Sequence, residues 1–215
     1  MHLYAATSNP GKLAEFVKTA TSTATAGIHI LALPGLKDMP EPAEDAPTFQ
    51  GNADLKAIAY SLLAPNLLVF ADDSGLEVPA LNGQPGVRSA RLADDLHFDL
   101  PSGPAPATAS KDDRNNRCLL SLFHALPGNP SRSARFVCTL TLARDGHILL
   151  RSQGSLEGHL LDNPRGSGGF GYDPLFLVPP LHLTLAELPR EQKWRLSHRG
   201  NAFRSLLAQL QNSHL

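Results

Sequence analysis

The stretch HLYAATSNPGKLAEFVKTA, residues 2–20, decides the fold. Residues 2–6 read as a short buried strand. Thr7-Ser8-Asn9-Pro10-Gly11-Lys12 then turns the chain, with Asn9 as N-cap and Pro10 at the first helical position, where a missing N–H is no loss. Leu13, Phe16, Val17 and Ala20 follow at i, i+3, i+4 and i+7, one apolar helical stripe, and residues 28–33 read as a second strand. A strand, loop, helix, strand unit of this kind belongs to an α/β protein.

The same reading extends outward. The proline-rich, acidic stretch 34–47 is a loop, and Thr48 caps a second helix whose stripe is Leu55, Ile58, Ala59 and Leu62. Residues 67–71 form a buried strand that delivers Asp72 and Asp73 at its carboxyl end. The segment 97–109, with Pro101, Pro104 and Pro106 and no periodicity, is a surface excursion. Ser110 and Asp113 make a capping box for a helix to about Leu126, with Cys118, Leu119, Leu122 and Leu126 facing inward. Residues 136–143 and 147–151 flank Asp145-Gly146 as a hairpin. A glycine-dense loop, 166–171, precedes Tyr172-Asp173-Pro174 and a short apolar strand, and a last helix carries Phe203, Leu206, Leu207 and Leu210. No repeat or linker divides the chain, so residues 1–215 read as one α/β domain with a mixed sheet flanked by helices.

Composition narrows the function. With 42% hydrophobic and 18% charged residues the chain builds an ordinary globular core. A formal charge of −1 gives no global field for a polyanion, which argues against nucleic acid as partner. No run of about 18 apolar residues predicts a membrane span, and the first residues read as a strand rather than a leader. Cys118 and Cys138 lack metal-ligand spacing and read as buried thiols in a reduced, cytoplasmic setting.

Several segments carry chemistry. The loop from Thr7 to Lys12 lies between a strand and a helix N-terminus, which suits either an anion or a simple capped turn. It is not a Walker A motif, because residues 6 and 13 are Ala and Leu. Adjacent carboxylates at Asp72 and Asp73 call for a compensating cation, and Mg²⁺ suits hard oxygen ligands; the other reading is an acidic turn. Glu44 is a candidate second ligand. Phe170 and Tyr172 among glycines offer a surface for a flat ring, or tuck into the core of a tight turn. Ser197 caps the last helix, and His198 and Arg199 together supply donors for purine oxygens. Lys56 and Lys193, taken alone, are surface charges.

Taken in order, these segments resemble the inosine triphosphate pyrophosphatases, also called dITP/XTP pyrophosphatases. The resemblance rests on Ala6 to Lys12, Phe49 to Ala53 with Lys56, Phe70 to Val78, Pro85 to Arg91, Gly168 to Phe176 and Ser197 to Gly200. It implies a cytoplasmic homodimer of elongated two-lobed α/β protomers, with the nucleotide in the cleft between the lobes. It implies hydrolysis of dITP, ITP and XTP to the monophosphate and pyrophosphate with one Mg²⁺, or Mn²⁺, per subunit. Under it Thr7, Ser8, Asn9, Pro10, Gly11 and Lys12 bind the triphosphate, Asp73 is proton acceptor and metal ligand, and Ser74 touches the substrate. Phe170, Gly171, Tyr172 and Asp173 hold the base with His198 and Arg199, and Lys193 and Lys56 meet the nucleotide. The family pattern Glu-Glu-Thr-Gly-x-Thr-Phe reads here Ala43 to Phe49, and Gly51 stands where Glu is common. Glu44 is therefore the chosen second ligand, with Asp45 and Glu41 in reserve. The alternatives are a pyrophosphatase for modified pyrimidine triphosphates and a catalytically silent nucleotide sensor.

Overall fold

The computed structural model describes residues 1–22, 27–98 and 110–213. The excursion expected at 97–109 lies, from residue 99 onward, outside the described residues. The chain forms two compact units, one of Met1–Ser74, Val137–Leu156 and Trp194–Leu215, the other of Gly75–Phe136 and Glu157–Lys193.

The first unit opens with β1 (His2–Ala5), α1 (Pro10–Ser22) and β2 (His29–Ala32). β1 and β2 pair in parallel, Leu3 opposite Ile30, so the helix is the crossover between them. α2 (Phe49–Leu63) follows, then β3 (Val69–Glu77), which pairs in parallel with β1, Ala5 opposite Phe70. β4 (Ser133–Arg144) and β5 (His147–Leu160) form the expected hairpin, and Asp145 and Gly146 turn it with φ of 51° and 80°. α6 (His198–Gln211) completes the first unit; the second holds α3 (Leu92–Asp95), α4 (Lys111–His124), β6 (Phe176–Val178) and β7 (Leu183–Thr184), and α5 (Arg190–Leu196) begins in the second and ends in the first. The sheet order is β2-β1-β3-β4-β5-β6-β7, parallel at one end and antiparallel from β5 through β7, and β3, β4 and β5 each pass along the chain from one unit into the other.

Local signals place the helix starts. Thr48 accepts from Gly51 N at 3.1 Å, and Ser110 and Asp113 make the reciprocal capping box. Phe16, Phe70 and Phe203 then meet with ring centroids 5.1–5.3 Å apart, and Leu3, Cys138, Leu140, Leu206 and Leu207 close around them.

Four expectations need correction. On α2 the buried residues are Phe49, Asn52, Ala53, Ala57, Tyr60 and Ser61, while Leu55 and Leu62 are exposed. Small residues decide this: Ala57 packs on Ala71 and Ala143, where a leucine stripe would hold the helix farther off, and Asn52 and Ser61 bring their own hydrogen-bond partners inside. On α1, Val17 is exposed and Glu15 is buried in its place. On α4, Phe123 is buried with Cys118 and Leu119, and Leu122 and Leu126 are only half-buried. Finally, β3 does not stop at Ala71 but runs to Glu77, so Asp72 and Asp73 stand in mid-strand rather than at its end.

Truncating the shared aromatic of the first unit, Phe203→Ala, is expected to lower its stability by about 3–5 kcal/mol, read from urea unfolding followed by circular dichroism.

Candidate active site

Consecutive side chains on a strand point to opposite faces, and this separates the two aspartates. Asp72, 4% exposed, takes Lys12 Nζ on its Oδ2 at 2.8 Å, Ser74 Oγ at 3.3 Å, and lies 3.9 Å from Arg199 Nε. Asp73, 8% exposed, accepts from Asn52 Nδ2 at 3.0 Å and lies 3.7 Å from Lys56 Nζ. Their proton affinities diverge accordingly. Burial pushes Asp72 up, but Lys12, Arg199 and Lys56 outweigh it and hold its pKa at about 2. Burial wins at Asp73, aided by the charges of Glu44 and Asp72 against Lys56 and Asn52, and its pKa is raised.

Lys56 is not the surface charge it resembles in isolation. Its side chain is 12% exposed and its ammonium stands between Glu44 Oε1, at 3.0 Å, and Asp73 Oδ1. Burial lowers its pKa, yet Asp72, Asp73 and Glu44 together raise it above the usual lysine value. Glu41 and Asp45 are exposed, so of the acidic loop it is Glu44 that meets Lys56. Among the described residues no group of three or more His, Cys, Asp or Glu side chains converges as a metal site would.

The turn before α1 is capped by its own side chains. Asn9 Oδ1 accepts from Gly11 N at 2.8 Å and Lys12 N at 3.2 Å, and Thr7 Oγ1 accepts from Asn9 N. At the start of α6, Ser197 caps Gly200 N and donates to Glu15, while Arg199 faces Glu15 Oε2 at 3.5 Å and donates to Ser74 Oγ at 3.2 Å. His198 and Arg199 are 3% and 6% exposed, so neither is presented at the surface.

In the second unit the loop 166–171 folds over Asp173, whose Oδ2 accepts from Phe170 N at 2.8 Å and pairs with Lys193 Nζ at 2.5 Å. A side chain at Gly169 would put its Cβ 2.1 Å from that carboxylate. Lys193 Nζ also stands 5.1 Å from the centre of the Phe170 ring, a cation–π contact. Tyr172 packs inward. It is 3% exposed, donates its hydroxyl to Ser89 O at 2.9 Å, and burial pushes its pKa up.

Sequence reading passed over Asn52 and Glu15. Asn52 joins Asp73 to the acidic loop, since its Oδ1 accepts from Ala46 N at 2.9 Å. The available signal was spacing: Asn52 lies four residues before Lys56, and Glu15 three after Lys12, each on the helix face of a noted lysine.

Two aspartates with separate cations, beneath a capped strand-to-helix turn on a mixed sheet, define an α/β enzyme with a carboxylate and lysine centre. The chain belongs to the Ham1 family, whose model matches residues 3–209. It is 50% identical over 208 residues to a dITP/XTP pyrophosphatase of Acidobacterium capsulatum, covering 97% of each chain. A HAM1 protein from Coxiella burnetii superposes with a TM-score of 0.81 at 32% identity, over 99% of this chain and 100% of that one. The Ham1 protein of Staphylococcus aureus gives 0.77 at 34% identity, over 99% of both.

A Cβ at Gly51 would fall 2.6 Å from Ala46 Cβ. Gly51→Ala is therefore expected to be neutral or destabilising despite the roughly 1 kcal/mol that alanine gains in a helix. Adding Ala46→Gly releases that gain, and a double-mutant cycle from denaturant unfolding should show about 1–3 kcal/mol of coupling.

Proposed function

We propose that this protein hydrolyses dITP, ITP and XTP to the nucleoside monophosphate and pyrophosphate, clearing deaminated purines from the cytoplasmic nucleotide pool as a homodimer. The observation that carries the reading is the line Glu44, Lys56, Asp73: a loop carboxylate and a carboxylate of the buried strand β3 set about one ammonium of α2, while the neighbouring Asp72 pairs with Lys12 in the first turn of α1. Enzymes of this family are typically metal-dependent.

The oxygen donors fit Mg²⁺, which takes one or two carboxylates and completes its shell with water and substrate phosphates. Asp73 and Glu44, whose carboxylates both face Lys56, would hold it. When bound, the ion supplies charge neutralisation at the phosphates and at the departing pyrophosphate.

The chain's own residues do the remainder. Asp73, fixed by Asn52, orients the attacking water toward the α-phosphorus and accepts its proton. Lys12, fixed by Asp72, offers its charge to the triphosphate with the turn from Thr7 to Gly11, and Lys56 does so from the other face of β3. Ser74 touches the substrate. Arg199, expected at the base, is held among Glu15, Ser74 and Asp72, and we assign it to the carboxylate side. Phe170 and Gly171 meet the base with Asp173, Lys193 and His198, while Tyr172 anchors the loop from inside. Inosine and xanthine carry a 6-oxo group where adenine carries an amine, so donors aimed at that oxygen reject ATP by leaving polar groups unpaired.

Pyrophosphate release from ITP, dITP, XTP, GTP, ATP and dTTP tests this. The expected pattern is turnover of the first three, abolished by a chelator and reduced about 10²–10⁴-fold in Asp73→Asn. Release confined to dTTP would replace the purine reading with a pyrimidine one.

A further inference from the structure

Two residues of α4 grip the glycine loop. Asp112 and Asn116 stand four positions apart and leave the helix on one face. Gly171 N donates to Asp112 Oδ2 at 2.6 Å, and Asn116 Nδ2 donates to Gly171 O at 3.0 Å. Both peptide planes flanking Gly171 are thus tied to a single helix. The Asn116 amide has one usable orientation, because turned over it would set oxygen against oxygen.

The loop needs such ties. Gly166, Gly169 and Gly171 all have positive φ, at 80°, 76° and 62°, and glycines hold such angles with little preference of their own. At Gly171 nothing lies within 4 Å of an added Cβ, so packing does not fix the residue and the two hydrogen bonds do. Asp112, Asn116, Phe170 and Gly171 also line one cavity of roughly 860 Å³, within the range of small-molecule sites.

From this we infer that Asp112 and Asn116 are positioning residues for base selection: α4 sets the pitch of the Phe170–Gly171 segment, and with it the preference for 6-oxo over 6-amino purines. The inference rests on the proposed role of Phe170 and Gly171 at the base. A group displaced by about 1 Å can lose up to 10²-fold in rate, so two well-directed hydrogen bonds suffice to tune recognition.

Near-isosteric variants separate this role from bulk stability. Asn116→Asp places an acceptor against Gly171 O, and Asp112→Ala removes an acceptor. Each is expected to raise KM for ITP about tenfold with kcat within about threefold, and to lower the ITP to ATP ratio of kcat/KM about tenfold. Asp112→Asn keeps an acceptor for Gly171 N and should stay near wild type. Amide hydrogen exchange over residues 168–173 should quicken in the first two variants and not in the third. A lowered Tm in Asn116→Asp with an unchanged substrate ratio and unchanged exchange would overturn the inference. Wild type releasing no pyrophosphate from any purine triphosphate would instead overturn the functional reading and its selectivity claim. The exchange arm would then judge the grip alone, and unchanged exchange in Asn116→Asp would refute it.

Discussion

Two carboxylates inside a buried strand are the constraint on which the first unit depends. Removing an ion from water costs several kcal/mol even after relaxation, and that cost is met only by well-placed partners. Asp72 and Asp73 each need a cation, and the pleat of β3 sends them to different elements to find one. Lys12 at the head of α1 and Arg199 at the head of α6 serve Asp72, and Lys56 on α2 serves Asp73. Three helices are thus held in register against one strand by charge as well as by packing. The aromatic triangle of Phe16, Phe70 and Phe203 lies on the same set of elements, since α1, β3 and α6 each give one ring.

The choice of buried face on α2 follows from that demand. A leucine-lined face would bury more apolar area, yet it would leave Asp73 without Asn52 and Lys56. The helix turns instead so that Asn52, Ala53, Lys56, Ala57 and Tyr60 face the protein, and Leu55 and Leu62 remain outside. Polar residues enter the interior there because each meets a partner on arrival. Asn52 spends its donor on Asp73 and its acceptor on Ala46 N, and Ser61 accepts from Gly146 N.

How much of this could be read in the sequence depends on the distance over which each interaction acts. Asn9, Thr48, Ser110 with Asp113, and Ser197 cap their helices through contacts two or three residues away, and all were legible. So was the hairpin at Asp145-Gly146. Lys12 finds Asp72 from 60 residues away, Asn52 finds Asp73 from 21, and Arg199 finds Ser74 from 125. Those meetings are set by the order of strands in the sheet, which no local pattern encodes. The resemblance supplied Asp73 and Lys56 as site residues, but not which carboxylate each lysine serves. The end of β3 was misplaced for a related reason: acidic residues normally stop a strand, and only their distant partners allow it to continue.

The departures of segment 43–51 from the family pattern can be understood in the same physical terms. Where the pattern has Gly followed five residues later by Glu, this chain has Ala46 and Gly51. A side chain at position 51 and a methyl group at 46 exclude one another, since their Cβ atoms would lie 2.6 Å apart. The two differences are therefore sterically linked between the acidic loop and the first turn of α2, and the carboxylate that is common at position 51 is absent here, while Glu44 and Asn52 keep their contacts. Ala46 still gives its N–H to Asn52, and Glu44, two residues earlier, still reaches Lys56. What the loop must preserve is the path from Ala46 through Asn52 to Asp73, because it sets how far Glu44 stands from the strand. A departure in sequence that keeps that path leaves Glu44 on Lys56 and Asn52 on Asp73.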